Sequence, residues 1–193
     1  MRLQACVAAW LLAAVPSVAC ADAQQTAATV CAACHGESGN SSVSTFPKLA
    51  GLQAEYLAKQ LEDFVSGKRK NPAMAPFIAN LKRTDVQDLA AYFAAQKPAP
   101  AVQGKTSLLG MQLYKDGNAA SGVAGCAGCH QNDGSGNERF PRLAGQHQAY
   151  TLDQMLQFKS GARANDRARV MRSIAERLSE SEIAALADYL AGL

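Results

Sequence analysis

One five-residue stretch occurs twice in this chain: Cys31-Ala32-Ala33-Cys34-His35 and Cys126-Ala127-Gly128-Cys129-His130. Thiols at this spacing can each form a thioether to a haem vinyl group, and the His that follows can then reach the iron as an axial ligand. Each copy must therefore be wrapped around a flat group larger than any side chain. No other feature constrains the fold as much.

Other uses of the same residues fit less well. A zinc ribbon places its two Cys pairs about 15–20 residues apart, whereas Cys34 and Cys126 stand in separate halves of the chain. A thioredoxin-like pair needs strands alternating with helices, and alternating strand patterns are nearly missing here. Structural disulfides would not explain a His after each second Cys.

The expected fold class is all-α. Of 193 residues, 48% are hydrophobic and only 6% aromatic; Ala and Leu supply most of the apolar content, which favours helices. The first 21 residues read as a secretory signal peptide: Arg2, an apolar core from Val7 to Val15, and an Ala19-Cys20-Ala21 end, with cleavage after Ala23 as the second choice. That leader is too short to span a membrane. Cys20 raises a lipoprotein alternative, disfavoured by Ser17. Of six Cys, four lie in the two motifs and none remains for a disulfide, as expected of an exported protein that takes up haem outside the cytoplasm.

Loss of Arg2 leaves 18 of the 19 Lys and Arg against 16 Asp and Glu. With the propionates of two haems the holoprotein comes out about neutral, so nucleic-acid binding is not supported.

The two halves follow one plan. Phe46-Pro47-Lys48-Leu49-Ala50-Gly51 matches Phe140-Pro141-Arg142-Leu143-Ala144-Gly145 at five of six positions. Tyr56, Gln60, Phe64, Ser66 and Gly67 recur as Tyr150, Gln154, Phe158, Ser160 and Gly161. Apolar spacing predicts helices from Leu52 to Ser66, from Ser107 to Lys115 and at each domain's end. Capping boxes are expected at Thr84 with Gln87 and at Ser179 with Glu182. Residues 116–125 read as a Gly-rich loop. The expected domains are 22–96 and 107–193, joined by a proline-stiffened linker at 97–106. Domains this small have modest cores, so covalent haem would supply much of each.

His35 and His130 are the proximal ligands by position. Met74 and Met171 are the expected sixth ligands: each stands seven residues before a Leu (Leu81, Leu178) and fifteen before another (Leu89, Leu186). Met111 and Met155 read as core gap-fillers. His147, whose counterpart is Gln53, reads as a surface or hydrogen-bonding residue. Pro47 and Pro141 follow their His by twelve and eleven residues; a proline carbonyl there could accept the His Nδ1–H and fix the ring. Two basic runs, Lys68 to Lys70 and Arg163 to Arg172, read as solvated loop charge, or as edges that steer acidic partners or balance propionates. His/Met ligation fills both axial positions and favours ferrous iron, which is carrier chemistry.

With these motifs the chain resembles the dihaem cytochrome c4 family over essentially its whole mature length. The resemblance implies two tandem cytochrome c-like haem domains related by a pseudo-twofold axis. It implies covalent haem on Cys31, Cys34, Cys126 and Cys129, and iron held by His35, Met74, His130 and Met171. It implies a periplasmic electron carrier, not an enzyme, soluble or loosely membrane-attached, passing electrons from a quinol-oxidising complex or similar donor to a terminal oxidase. One departure is visible: Gly67 and Met74 are seven residues apart, Gly161 and Met171 ten. A dihaem peroxidase-like enzyme and a haem subunit of a larger dehydrogenase or oxidase are the competing readings.

Overall fold

The computed structural model describes residues 18–79, 81–101 and 107–193. Most of the expected leader, 1–17, and the linker's second half, 102–106, lie outside the described residues.

In the first half, α1 (Val18–Thr26) runs through a widened π turn (Ala27–Cys31) into α2 (Ala32–His35). Thus α1 straddles the expected cleavage sites, and the lead to the first motif is helical throughout. Next come α3 (Ala54–Val65), α4 (Ala75–Ile78) and α5 (Arg83–Ala94). The second half holds α6 (Leu108–Asp116), a two-stranded hairpin of β1 (Gly117–Asn118) and β2 (Val123–Ala124), then α7 (Ala127–His130), α8 (Gln148–Ser160), α9 (Val170–Ala175) and α10 (Glu180–Ala191). The hairpin replaces the expected loop. Its two antiparallel pairs, Gly117 with Ala124 and Asn118 with Val123, are too short to show a period in sequence.

Each half closes by crossing its first and last helices, α1 on α5 and α6 on α10. Small residues allow close approach. A Cβ on Gly110 would stand 2.0 Å from Ala185 O, so only glycine fits. In the first half Ala23 and Ala27 fill the crossing; in the second, Tyr114 and Leu113 do. Around these lie two separate cores, Leu57, Val86, Leu89 and Phe93 in one and Leu178, Ile183, Leu186 and Leu190 in the other. Met111 and Met155 pack against the second core, as expected.

The box at Ser179 is present: Ser179 Oγ accepts from Glu182 N, and Glu182 Oε2 accepts from Ser179 N. The one expected at Thr84 is not. α5 starts earlier, and Lys82 N–H donates to Asp85 Oδ2 at 2.9 Å. Lysine has no side-chain acceptor, so only this half of the reciprocal pair forms.

The basic runs also differ from expectation. Arg69 and Arg163, read as loop charge, are buried between the halves. Arg69 donates to Gln60 Oε1, Tyr150 Oη and Gln154 Oε1; Arg163 donates to Gln154 Oε1, Tyr56 Oη and Gln60 Oε1. Each guanidinium also lies over a ring of its own domain, Arg69 on Phe64 at 4.6 Å and Arg163 on Phe158 at 4.5 Å. These residues match pair by pair across the repeat, so homologous groups meet about a pseudo-twofold axis. Arg172 is paired with Asp166 and Arg169 with Glu176.

Candidate haem sites

The hexapeptide shared by the two halves gives almost every residue a task. His35 Nδ1 donates to Pro47 O at 2.9 Å and His130 Nδ1 to Pro141 O at 2.8 Å. Phe46 and Phe140 set ring edges against the same imidazoles, at 6.5 Å with 63° and 5.8 Å with 62°. Leu49 and Ala50 N–H both donate to Gly39 O, and Leu143 and Ala144 N–H to Gly134 O. Gly51 and Gly145 tie the segment to the closing helix through Phe93 O and Leu190 O. Both glycines have positive φ, 68° and 72°, where a side chain would be strained.

Both imidazoles are buried, at 6% exposure each. Burial pushes their pKa down, and the proline carbonyl only partly offsets this. A neutral ring with Nδ1–H committed to a carbonyl leaves Nε2 as the lone-pair donor, the form that binds a metal. Cys31, Cys34, Cys126 and Cys129 are all unpaired and half-buried. Burial raises the Cys31 thiol and takes Cys126 up to about 11, the pattern of packed thiols and not of redox-active thiolates. In the second half the motif is braced further: Tyr114, fully buried, donates to Gln131 O at 2.5 Å.

Met74 precedes α4, and Met171 lies in the first turn of α9. Both are half-buried and belong to neither core. The loops that carry them differ. In the first half Asn71 turns the chain, its Oδ1 accepting from Ala73 N and its C=O from Met74 N. In the second, Asp166 accepts from Arg172 N at 3.0 Å and Arg172 Nε at 2.6 Å, bracketing Met171. Ala168 and Arg169 there take positive φ, 52° and 60°.

Haem fits this donor set. Each half offers two unpaired thiols one helical turn apart, a buried imidazole with Nε2 free, and a thioether outside the packed core. A covalently bound haem supplies the iron that takes up and releases one electron. The chain's own residues fix the imidazole ring, exclude water from it and hold the loops around it.

His147 is a hydrogen-bonding residue, as expected, and Ser41 and Gln146, which the sequence did not single out, also reach these loops. Ser41 Oγ donates to Cys34 O, while Ser41 O accepts from His147 Nε2 of the other half at 2.9 Å. Gln53 and Gln146 reach across in the same way. Among the described residues no helix is long and apolar enough to cross a membrane.

The cytochrome c family model matches the chain twice, over residues 20–97 and 110–193. The chain is 43% identical to cytochrome c4 of Azotobacter vinelandii, covering 90% of this chain and 89% of that one. It is 37% identical to the thiosulfate dehydrogenase electron acceptor of Stutzerimonas stutzeri, covering 86% and 80%. The crystal structure of reduced recombinant cytochrome c4 from Pseudomonas stutzeri superposes with a TM-score of 0.86 at 38% identity, covering 90% of this chain and 98% of that one.

Proposed function

The chain belongs to the cytochrome c family, in its two-domain cytochrome c4 group with two covalent haem c groups, and from that premise we propose that it is a periplasmic shuttle carrying electrons along a respiratory chain to a terminal oxidase. Cys31 and Cys34 attach one haem and Cys126 and Cys129 the other. His35 with Met74, and His130 with Met171, hold the two irons, and the Pro47 and Pro141 carbonyls orient the imidazoles. The domains run 22–96 and 107–193 about a linker at 97–106, behind a signal peptide of residues 1–21.

The observation that carries this reading is the matched donor set of the two halves: the same thiols, the same carbonyl-bound imidazole and an equivalent thioether. Two filled axial positions leave no ready site for peroxide or O2. Iron held in one geometry reorganises little on gaining an electron. The unpaired cysteines and the leader pattern support export.

A second reading concerns the donor. The likeness to a thiosulfate dehydrogenase electron acceptor favours a dehydrogenase feeding electrons to this chain, in place of a quinol-oxidising complex.

The test is an optical and EPR spectrum of the holoprotein, with haem counting, followed by turnover with membranes. Two low-spin haems with the far-red Met–iron band, unmoved by CO when reduced, and rapid oxidation by oxidase-containing membranes are expected. A high-spin or CO-binding haem overturns the ligand assignment. Oxidation only in the presence of a co-purifying dehydrogenase selects the second reading.

A further inference from the structure

Pro47 C=O and Lys48 N–H belong to one peptide group. Its oxygen accepts His35 Nδ1–H, and its N–H donates to Gln146 Oε1 at 3.0 Å. Gln146 lies in the other domain and returns its own N–H to Lys48 O at 3.0 Å. The second half has the mirror arrangement. Pro141 O accepts His130 Nδ1–H, and the same peptide group's N–H, on Arg142, donates to Gln53 Oε1 of the first domain at 2.8 Å. Gln53 is itself held by its Nε2 on Ser135 O at 2.8 Å.

Each chain therefore runs imidazole N–H, peptide C=O, peptide N–H, then glutamine C=O, and each crosses the domain boundary at the last link. Donating its N–H polarises a peptide group and makes its carbonyl a better acceptor. A better acceptor pulls the imidazole proton and makes the ring a stronger electron donor to a metal on Nε2, which stabilises the oxidised metal.

We propose that Gln53 and Gln146 are crossed positioning residues: each, from its own domain, sets the ligand strength of the proximal His in the other domain. The inference rests on the assignment of His35 and His130 as iron ligands. It goes beyond that assignment by making each haem's potential depend on contact with the opposite domain.

The experiment is spectroelectrochemical titration of intact holoprotein carrying Gln53→Leu or Gln146→Leu, with each haem assigned by NMR. Gln53→Leu is expected to raise the potential of the second domain's haem and leave the first unmoved; Gln146→Leu is expected to do the reverse. The His130 or His35 Nδ1–H resonance of the ferrous protein should shift with the same crossed pattern. Gln53→Met and Gln146→Met, which keep the side-chain length, should reproduce it if a Leu variant fails to fold. A shift at the haem of the mutated domain, equal shifts at both, or lost thermal stability with both potentials unmoved overturns the proposal. Failure of the ligand assignment is seen separately, as missing ligand-His and ligand-Met resonances in the unaltered protein.

Discussion

Arg69 and Arg163 donate to the same two oxygens, Gln60 Oε1 and Gln154 Oε1, from opposite domains. Neither has a carboxylate among its hydrogen-bond partners in the described residues, so two like charges sit buried together on neutral acceptors. Arg163→Ala is expected to cost about 2–4 kcal/mol, because it takes charged donors from the buried Gln60, Gln154 and Tyr56 oxygens and empties a packed site. Arg69→Ala should do the same. The double variant should lose more than the sum by about 1 kcal/mol, since either single relieves the same repulsion and leaves the shared oxygens one arginine donor, and the double removes both donors. Denaturant unfolding of the two singles and the double measures this; strict additivity would contradict the shared-acceptor geometry.

The two methionine loops should fail in order. Asp166 ties both the backbone and the guanidinium of Arg172 around Met171, while Asn71 offers only a turn before Met74. On heating the oxidised protein, the far-red band should therefore fall in two steps, with Met74 released first. Burial alone would raise the Asp166 carboxyl, but the Arg172 N–H and guanidinium outweigh it and hold the group below the usual range. Its contribution is thus present above about pH 4 and is lost as pH falls through the lower folded value. Asp166→Asn should bring the Met171 step down towards the first and flatten the acid limb. An unchanged second step would count against the bracing role.

Tyr114 braces only one haem motif. Its hydroxyl donates to Gln131 O, and burial pushes its pKa up. Tyr114→Phe should cost about 1–2 kcal/mol. The loss should appear in hydrogen exchange around Cys129 to Gln131 and leave the first motif unaffected, since Ala27 fills the corresponding helix crossing there.

His147 makes the contact between halves pH-dependent. Burial lowers its pKa most, Lys48 lowers it further, and the Ser41 carbonyl partly restores it. The unfolded chain then binds the proton more readily than the folded one. Stability should be full above about pH 6.5 and fall as pH drops through that value. His147→Gln keeps a donor without a titration, so its melting temperature should be flatter between pH 7 and pH 5. Parallel curves for variant and parent would assign the pH dependence elsewhere.

The haem motifs and the Phe-Pro-x-Leu-Ala-Gly repeat were legible because their work is local: His35 finds Pro47, and Ser179 finds Glu182, within one stretch of chain. The start of α5 was misplaced because Thr84 and Gln87 satisfy a spacing rule while Lys82 and Asp85 make the bond. The burial of Arg69 and Arg163 was not legible from their own surroundings, since it arises from contact between domains. A signal did exist, in Tyr56, Gln60 and Phe64 recurring at the same helical spacing in both copies. Gln53 and Gln146 carried no such signal, for the repeat pairs Gln53 with His147 and Gln146 with Leu52.

That mismatch has a consequence for how the halves can diverge. The middle of the contact pairs like with like, as the isologous face of a homodimer does, so a substitution there strikes both sides of one knot. On the flanks the backbone partners are equivalent but the side chains that reach them are not. Gln53 alone reaches Ser135 O and Arg142 N, whereas His147 reaches Ser41 O and Gln146 reaches Lys48 N, so the two redox centres can be set apart at the margins without loosening the join.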